Sequence, residues 1–564
     1  MISYLCAIIK YQSHIMNNRY SLMAPLLLAA MHANAQDKSR PNILYIMSDD
    51  HAFQCISAYG SDVSRLAPTP NIDRIAREGM RFDAAFVENS VSTPSRACLM
   101  TGLYSNQNGQ RQLGEGIDTT KVFFTELLQQ AGYQTGLVGK WHMRCTPKGF
   151  DYYKVLNDQG PYYNPDFRSN DSGNRYVREQ GYTTDLITTH ALEFLKARDQ
   201  KKPFCLLVHH KAPHRNWLPA LKNLGRYDHV TFPLPHSWND DYATRGSAVR
   251  TQKMDIGRDM TLESDLKVDL NNPAHPNVSR VFGEWGRLSD EQRAPIHEYF
   301  AQRSHDYAEQ RPEGEALRQW KYQWYLRDYL SVIQSVDESV GQLLNYLERN
   351  GLAENTIVVY TSDQGFYMGE HGWFDKRFMY EESLRTPLVV RYPQEVKAGS
   401  VSQQMVQNID YAATFLDYAG VKQPKEMSGR SLKPLFRADS THWRKDIYYH
   451  YYDYPAWHVV RKHDGVREAR YKLIHFYGKG GARAQAENKY QNTPGTAEYN
   501  GFEWMLKSGY IVDDPDVNYD ELYDLKEDPH ELKNVIDAPR YAKVKRRLQK
   551  KLERYRKKLK VDEY

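Results

Sequence analysis

Short apolar runs alternate with longer amphipathic stretches along the first part of the chain. The runs at residues 43–47, 135–138 and 204–208 have the length of strands, whereas residues 123–131 and 186–196 carry apolar side chains at helical spacing. Strand-length runs that alternate with helical patterns are typical of a mainly parallel sheet flanked by helices. The pattern therefore predicts an α/β fold.

A long helix and a central strand follow further along the chain. Gly351 comes just after the predicted helix, and a glycine in this position favours the left-handed conformation that ends a helix. The β-branched run at residues 356–360 has the composition of a buried central strand, and the α/β pattern ends near residues 388–391. The apolar stripe of the helix consists of Tyr329, Val332, Val336, Val340, Leu343 and Leu347.

Two regions depart from this pattern. Residues 215–319 are polar and too long for an ordinary connection, which predicts either an inserted subdomain or a set of loops over a site. After residue 441, tyrosine-rich segments predict a small antiparallel sheet followed by a basic helix. We therefore expect a larger domain over residues 37–440, with the insertion around 215–319, and a smaller C-terminal α+β domain over residues 441–564.

The N-terminus has the features of an export signal. Met16 and Arg19 precede an apolar run at residues 22–31, and residues 33–35 fit a small-residue cleavage pattern. We expect a signal peptide over residues 1–35, with residues 1–15 as an upstream extension, and hence secretion across an inner membrane into the periplasm. The apolar run is too short to span a bilayer as a mature helix, so no stable membrane insertion is expected.

Charge and cysteine content narrow the function classes. The net charge is +5, yet residues 543–560 alone hold eleven Lys and Arg against one Glu, so the basicity is local and predicts no nucleic-acid partner. Apolar residues at helical spacing make this tail a docked amphipathic helix with a solvated basic face, or else a surface that attracts polyanions or membranes. The five cysteines stand singly, which argues against a disulfide framework.

Acidic residues follow two of the predicted strands. Asp49 and Asp50 come after the first strand, and Asp363 and Gln364 come after the strand at residues 356–360. The carboxyl ends of parallel strands meet at one edge of a sheet, where ligands bind. Adjacent carboxylates repel each other unless a cation neutralises them, and hard divalent cations prefer oxygen ligands. The sequence therefore predicts a divalent metal at this edge.

Two further strand ends carry cations and imidazoles. Lys140 and His142 follow the strand at residues 135–138, and Lys211 and His214 follow the strand at residues 204–208. A pocket that combines a divalent metal with Lys, His and Arg side chains suits a tetrahedral anion, whose oxygens need several donors at once. Each histidine alone is also compatible with a structural role.

The segment at residues 92–102 adds a motif to this chemistry. Its fixed positions are Ser92, Pro94, Ser95, Arg96, Met100, Thr101 and Gly102. This pattern resembles the signature of the type I sulfatases, whose first residue is Cys or Ser and is oxidised to formylglycine. The resemblance extends from about residue 41 to residue 532, and it implies the alkaline-phosphatase-like α/β fold, a calcium ion and hydrolysis of sulfate esters.

The oxidation has a chemical reason. A serine nucleophile would leave a covalent sulfate ester that needs hydrolysis by the same difficult route. A hydrated aldehyde instead attacks sulfur with one hydroxyl, and its second hydroxyl, once deprotonated, expels sulfate as the carbonyl re-forms. Serine rather than cysteine at Ser92 implies, by the resemblance, a radical-type maturation enzyme that acts before export.

The resemblance also implies roles for individual residues. The calcium ligands would be Asp49, Asp50, Asp363, Gln364 and the modified Ser92. The family often has Asn where this chain has Gln364, which keeps the amide oxygen on a side chain one methylene longer. Calcium would lower the pKa of the attacking hydroxyl and polarise a sulfate oxygen.

The remaining catalytic roles concern the sulfate and its protons. By the resemblance, Arg96 holds the hydrated aldehyde, Lys140 and Lys376 bind the sulfate oxygens, and His142 acts as base toward the second hydroxyl. The donor to the leaving alcohol is His214, with His371 as the rival candidate.

Substrate specificity can be inferred from a closer resemblance. Residues 372–382 and 449–452 resemble bacterial sulfatases that act on 6-O-sulfated N-acetylglucosamine in heparan-type chains or host glycans. This implies that Asp375, Arg377 and His450 contact sugar hydroxyls, whereas a structural salt bridge between Asp375 and Arg377 is the alternative. Residues 478–518 are longer than the group predicts and would reshape the pocket entrance.

The leading hypothesis is a calcium-dependent, exo-acting sulfatase that removes 6-O-sulfate from N-acetylglucosamine in a sulfated saccharide. The sequence leaves open a sulfatase for 2-O-sulfated uronate, N-sulfoglucosamine or 6-O-sulfated galactosamine. It also leaves open a phosphate or phosphonate ester hydrolase of the same superfamily, and a catalytically silent carbohydrate-binding relative. The oligomeric state is not indicated by any pattern in the chain.

Overall fold

The computed structural model of the chain describes residues 40–270, 284–490, 497–512 and 516–564. The signal peptide predicted for residues 1–35 lies outside the described residues. The strands are β1 (Asn42–Ser48), β2 (Met80–Phe82), β3 (Ala85–Phe86), β4 (Gln134–Gly139), β5 (Tyr152–Leu156), β6 (Asp166–Ser169), β7 (Tyr176–Arg178), β8 (Phe204–His209), β9 (Thr356–Ser362), β10 (Leu388–Arg391), β11 (Ser400–Ser402), β12 (Val406–Gln407), β13 (Asp446–Tyr451), β14 (His463–Glu468), β15 (Tyr471–Gly478) and β16 (Val517–Asp524).

Helices cover both faces of the sheet and the surface around it. The α-helices are α1 (Asp62–Leu66), α2 (Pro70–Arg77), α3 (Ser92–Thr101), α4 (Ser105–Asn108), α5 (Phe124–Gln130), α6 (Thr183–Ala197), α7 (Ala248–Thr251), α8 (Asp290–Gln310), α9 (Gly314–Arg349), α10 (Glu381–Leu384), α11 (Asp410–Tyr418), α12 (Lys433–Phe436), α13 (Gly481–Tyr490), α14 (Ala497–Lys507) and α15 (Ala542–Leu559). In the described ranges, no helix has both the length and the apolar content needed to cross a membrane.

A ten-stranded sheet runs through the larger part of the molecule, with strand order β11-β2-β10-β9-β1-β8-β4-β5-β6-β7. Its centre, from β9 to β5, is parallel, and antiparallel strands extend it on both sides. The register pairs Ser48 with Ser362 and Met47 with His209, so β1, β8 and β9 end at the same edge. The α/β prediction is confirmed, and the carboxyl ends of β1, β8 and β9 meet at one edge of the sheet, as the sequence predicts for the acidic residues.

The two faces of β1 pack against different layers. Leu44 and Ile46 belong to a core that includes the apolar stripe of α9, whereas Ile43, Tyr45 and Met47 pack with residues of α5 and α11. The period of two in a strand sends alternate side chains to opposite faces, and both faces here are covered. All six stripe residues predicted for the long helix are fully buried, as expected for a helix that packs along the sheet.

The polar region around residues 215–319 contains helices α7 and α8 and packs onto α9. Ser289 caps α8, because its side chain accepts a hydrogen bond from the backbone N–H of Gln292. Buried charges join the region to α9: Asp328 of α9 pairs with Lys267 at 2.8 Å and with Arg303 of α8 at 2.7 Å. This arrangement gives the loops of the region a fixed position beside the sheet edge.

The C-terminal part forms an antiparallel sheet in the order β13-β14-β15-β16, covered by α15. Leu548, Leu552 and Leu559 are the buried residues of α15, and Arg556 pairs with Asp464 of β14 at 2.7 Å. The helix therefore docks through an apolar stripe and keeps much of its basic face toward solvent. This sheet is the smaller α+β part that the sequence predicts.

Candidate active site

Three buried carboxylates meet at the carboxyl edge of the large sheet. Asp49 and Asp50 directly follow β1 and Asp363 directly follows β9, and one oxygen from each lies within 4.8 Å of the others. The Gln364 amide nitrogen donates to Asp50 Oδ1. Within the described part of the chain, Gln364 Oε1 has no hydrogen-bond partner although it is buried. The set thus offers three carboxylates and one unused amide oxygen.

The electrostatics of this cluster favour a bound cation. Burial and the neighbouring carboxylates raise the pKa of Asp50 to about 7, and burial together with Asp49 raises that of Asp363 to about 6. Burial opposes ionisation of Asp49, but Lys140 and further neighbouring groups such as Arg96 together outweigh it and hold the pKa of Asp49 well below its ordinary value. Oxygen-only ligands at this density match the preference of a hard cation such as calcium. The residues therefore fit the metal predicted from the sequence.

Ser92 lies against this cluster. It is the first residue of α3, and its hydroxyl donates to Asp49 Oδ1 at 3.0 Å. Every residue of α3 is buried, and Ser92 itself is only 3% exposed. Gly102 ends the helix in the left-handed region at φ 65°, a conformation that glycine adopts without steric cost. The helix start therefore points Ser92 at the carboxylates.

Arg96 joins three of the elements that build the site. It lies in the same helix as Ser92, and its Nε is 3.1 Å from Asp363 Oδ2. Its Nη1 donates to the carbonyl oxygen of Lys140 at 3.0 Å. The guanidinium is almost fully buried, so these bonds fix α3 relative to the ends of β9 and β4.

Two ammonium groups approach the carboxylates from different loops. Lys140 Nζ contacts Asp49 Oδ2 and Gln159 Oε1, and Lys376 Nζ is 2.7 Å from Asp50 Oδ2. Burial lowers the pKa of Lys140 to about 8. Burial acts in the same direction on Lys376, but Asp375 and Asp50 outweigh it and raise its pKa above the ordinary value. The pair provides positive charge where an anion would face the metal.

Two histidines lie at the rim of the cluster. His142 Nδ1 is 3.2 Å from Thr93 Oγ1, and its Nε2 is 3.1 Å from Asp158 Oδ1. His214 Nδ1 is 2.8 Å from the carbonyl oxygen of Arg215, while its Nε2 lies 3.9 Å from Asp50 Oδ2. Burial lowers the pKa of His142 to about 4 and that of His214 well below its ordinary value. Both imidazoles are therefore neutral at pH 7.

His371, the rival to His214, belongs to a different buried network. Its Nδ1 is 2.7 Å from Asp240 Oδ2 and its Nε2 is 3.8 Å from Glu382 Oε2. Both ring nitrogens therefore face carboxylates that come from the insertion and from α10. Of the two candidates, His214 lies at the acid cluster, and the structure does not bring His371 to it.

A second group of polar side chains flanks Lys376. Asp375 and Arg377 are joined at 3.1 Å between Oδ1 and Nε, and Arg377 Nη1 lies 3.4 Å from the Tyr451 hydroxyl. Asp375 Oδ2 is 3.0 Å from His458 Nε2. These residues form a small donor and acceptor group next to Lys376. His458 belongs to it, although sequence reasoning did not select this residue.

The structure places His450 away from this group, whereas the sequence predicts that it contacts the sugar beside Asp375 and Arg377. His450 Nε2 is 2.7 Å from the Tyr477 hydroxyl, and its ring stacks on Tyr452 at 3.6 Å between centroids. Along β13 alternate side chains point to opposite faces, so His450 points away from the face on which Tyr451 meets Arg377. The histidine that contacts Asp375 comes instead from the loop after this strand.

The chain matches two family models. The model described as Sulfatase covers residues 41–421, and the model described as N-sulphoglucosamine sulphohydrolase, C-terminal, covers residues 369–489 and 511–558. The chain is 43% identical over 555 residues to an N-acetylglucosamine-6-O-sulfatase of Bacteroides thetaiotaomicron, with 96% of this chain and 92% of the relative aligned. A human N-acetylglucosamine-6-sulfatase is 24% identical over 542 residues, which cover 90% of this chain and 84% of the relative.

Solved structures extend the comparison. One solved structure shows a protein in complex with its substrate D-glucosamine-2-N,6-O-disulfate. It matches this chain with a TM-score of 0.83 and 43% sequence identity, and the match covers 93% of this chain and 99% of that protein's chain. A phosphonate monoester hydrolase of Agrobacterium radiobacter matches with a TM-score of 0.59 and 19% identity, over 92% of this chain and 96% of its own. The second likeness concerns the fold alone.

Proposed function

The chain belongs to the sulfatase family and is a sulfuric ester hydrolase, and we propose that it removes 6-O-sulfate from a terminal N-acetylglucosamine of a heparan-type or other host glycan. The observation that carries the proposal is the 43% identity, over 96% of the chain, to an N-acetylglucosamine-6-O-sulfatase. The polar group of Asp375, Arg377 and His458 beside the two lysines supports it, because a sugar sulfate needs both an anion site and a hydroxyl site.

The proposal includes a calcium ion and an oxidised Ser92. Asp49, Asp50, Asp363 and Gln364 would hold calcium, which polarises a sulfate oxygen and lowers the pKa of the attacking hydroxyl. A maturation enzyme would oxidise Ser92 to formylglycine by removing two hydrogen atoms, and the hydrated aldehyde would supply the nucleophile. The 3.0 Å contact of Ser92 with Asp49 supports a position next to the metal.

The chain's own side chains would orient the ester and carry its protons. Lys140 and Lys376 now contact Asp49 and Asp50, and each has further hydrogens to donate to sulfate oxygens. His142, neutral at pH 7, would accept the proton of the second hydroxyl. His214 would donate to the leaving sugar alcohol, and the negative charge of the bound sulfate favours the imidazolium that this role needs.

The sugar itself would be recognised through its hydroxyls. Asp375 has carboxylate oxygens that can accept from a pair of equatorial hydroxyls, while Arg377 and His458 can donate to neighbouring oxygens. Arg377 Nε donates to Asp375 Oδ1 at 3.1 Å and His458 Nε2 lies 3.0 Å from Asp375 Oδ2, so the three side chains are held together before the sugar binds. A binding site held in place in this way costs less ordering on association.

Substitution of His458 by phenylalanine is expected to lower kcat/KM for a 6-O-sulfated glucosamine by about 10- to 100-fold, because the proposed hydrogen bond to the sugar and the 3.0 Å contact with Asp375 are both lost. Hydrolysis of a simple aryl sulfate, which has no sugar hydroxyls, is expected to change little. His450→Phe is the matched control, since it alters a buried histidine outside the group. If His450→Phe changed the ratio of the two activities and His458→Phe did not, the assignment of the sugar contact would be reversed.

The proposal is tested with defined mono- and disaccharides that carry one sulfate at the 2-O, N, 3-O, 4-O or 6-O position. Release of sulfate is expected from 6-O-sulfated hexosamine and not from the other positions. Activity confined to another position would overturn the 6-O proposal while leaving the sulfatase assignment intact. An aryl phosphate tested beside an aryl sulfate covers the remaining alternative, and a strong preference for phosphate would contradict the proposed substrate class.

A further inference from the structure

Three aromatic rings form an exposed patch on the C-terminal part. Trp457 is 55% exposed and Trp504 is 52% exposed, and their ring centroids are 5.8 Å apart. The Tyr510 ring lies 5.8 Å from the first and 5.9 Å from the second. Two neighbouring tryptophans exposed by half are unusual on a protein surface and indicate contact with another molecule. We call these three residues the aromatic platform.

The aromatic platform is held in place from below. The Tyr510 hydroxyl donates to the carbonyl oxygen of Trp457 at 2.8 Å, which joins two segments that are far apart in sequence. Tyr510 also packs against a small apolar core that consists of Tyr454, Val459, Ala482, Met505 and Ile511. These contacts therefore fix the positions of the exposed rings relative to one another.

The aromatic platform borders the proposed sugar site. Trp457 directly precedes His458, whose Nε2 is 3.0 Å from Asp375. The backbone N–H of Lys253 donates to the carbonyl oxygen of His458 at 2.8 Å, and Lys253 Nζ lies 5.2 Å from the centre of the Tyr510 ring. A sugar bound at Asp375 would therefore have aromatic surface and a positive charge next to it.

Two of the three rings come from a segment outside the family match. The C-terminal family model stops at residue 489 and resumes at residue 511, so Trp504 and Tyr510 lie in the unmatched stretch. This stretch contains α14 and belongs to the connection between β15 and β16, which is the long segment that the sequence singled out around residues 478–518. Trp504 and Tyr510 thus come from a segment that the C-terminal family model does not cover, whereas Trp457 lies within the match.

We propose that the aromatic platform is a second sugar subsite, which binds the residue next to the sulfated sugar. The apolar face of a pyranose ring packs well on exposed aromatic rings, which bury a large area at low conformational cost. A terminal sulfated sugar has one neighbour in its chain, and Lys253 gives that neighbour a cation that suits a carboxylate or sulfate. This inference rests on the proposed function, because it assumes a saccharide substrate bound at Asp375.

The test compares substrates of one and two sugars. Trp504→Ala is expected to lower kcat/KM about 10-fold for a disaccharide with a terminal 6-O-sulfated glucosamine and an acidic neighbour, and to leave the monosaccharide unchanged. Tyr176→Ala is the matched control, because Tyr176 is also an exposed aromatic residue, at 45%, but lies on the edge strand β7 of the large sheet. Tyr176→Ala should change kcat/KM for neither the monosaccharide nor the disaccharide.

A binding measurement removes any dependence on turnover. Calorimetry in a Ser92→Ala background is expected to show tighter binding of the disaccharide than of the monosaccharide, and Trp504→Ala is expected to abolish the difference. An equal loss on both substrates, or no loss on either, would overturn the second subsite. If the unaltered enzyme failed to desulfate the 6-O-sulfated monosaccharide, the proposed function would fail instead, so the two outcomes are distinct.

Discussion

Ser92→Ala is expected to reduce sulfate release by about 10,000-fold or more while the protein stays folded. Alanine has no oxygen to form the aldehyde, so the proposed nucleophile cannot arise. The substitution removes one hydrogen bond, from the Ser92 hydroxyl to Asp49 Oδ1, and alanine is compatible with the first turn of α3. The loss should therefore appear in kcat and not in the melting temperature.

Steady-state rates on a 6-O-sulfated glucosamine measure this effect, together with the mass of the peptide that contains residue 92. In the active enzyme that peptide is expected to be lighter by two hydrogen atoms than the encoded sequence. Ser90→Ala is the matched control, because it removes a buried hydroxyl two residues away that donates to the carbonyl oxygen of Ser383. Activity of Ser92→Ala above one per cent of the unaltered enzyme would contradict the proposed role of Ser92.

Removal of the metal is expected to cost at least about 100-fold in activity and to lower the melting temperature. Without a cation, three buried carboxylates lie within 4.8 Å of one another. The raised pKa values of Asp50 and Asp363 reflect the free-energy cost of ionising these carboxylates so close together and away from water. A ligand present at about 100 times its Kd stabilises the folded state by about 2.7 kcal/mol. Calcium should therefore restore both quantities after chelation.

The measurement is thermal unfolding and turnover before chelation, after it, and after addition of calcium or magnesium. Calcium should restore more than magnesium does, because magnesium keeps its water shell and demands stricter geometry. Ser92→Ala keeps the three carboxylates and should still lose melting temperature on chelation although it has no turnover, which separates metal binding from turnover. An unchanged melting temperature and full activity after exhaustive chelation would argue against a metal at this cluster.

The sheet edge was predictable because its chemistry follows from local patterns. Asp49 and Asp363 each stand directly after a buried strand. Parallel pairing of β1 with β9 brings these two positions together because the last residues of the two strands pair with each other. Lys140 and His214 were predictable for the same reason. The apolar runs alone were enough to give the α/β class, because a sheet covered on both faces requires near-continuous hydrophobic strands.

The side chains proposed to contact the sugar were less predictable, because their positions depend on packing between distant segments. His450 lies in a strand that the sequence predicts, yet tertiary contacts decide which face of β13 meets the larger sheet. A register shift of one residue would move every side chain of the strand to the opposite face. Alternation along β13 does place Tyr451 on one face and His450 on the other, which is a signal that could have excluded His450. His458 lies in an irregular loop, where no periodicity marks it.

The aromatic platform was beyond sequence reasoning for a related reason. Trp457 and Trp504 are separated by more than forty residues, and only the folded connection between β15 and β16 brings their rings together. Neither residue lies in a recognisable motif. The length of the segment around residues 478–518 was the available signal, and it indicated an altered pocket entrance without indicating the rings.

The burial of Ser92 sets an order of events in the life of the protein. Every residue of α3 is buried and Ser92 is only 3% exposed, so the folded protein does not present Ser92 and its neighbours in α3 to a modifying enzyme. Oxidation, if it occurs as proposed, must therefore reach the chain while it is still extended. A chain that folds before oxidation keeps an unoxidised serine at position 92. The yield of active enzyme therefore depends on the rate of oxidation relative to the rate of folding.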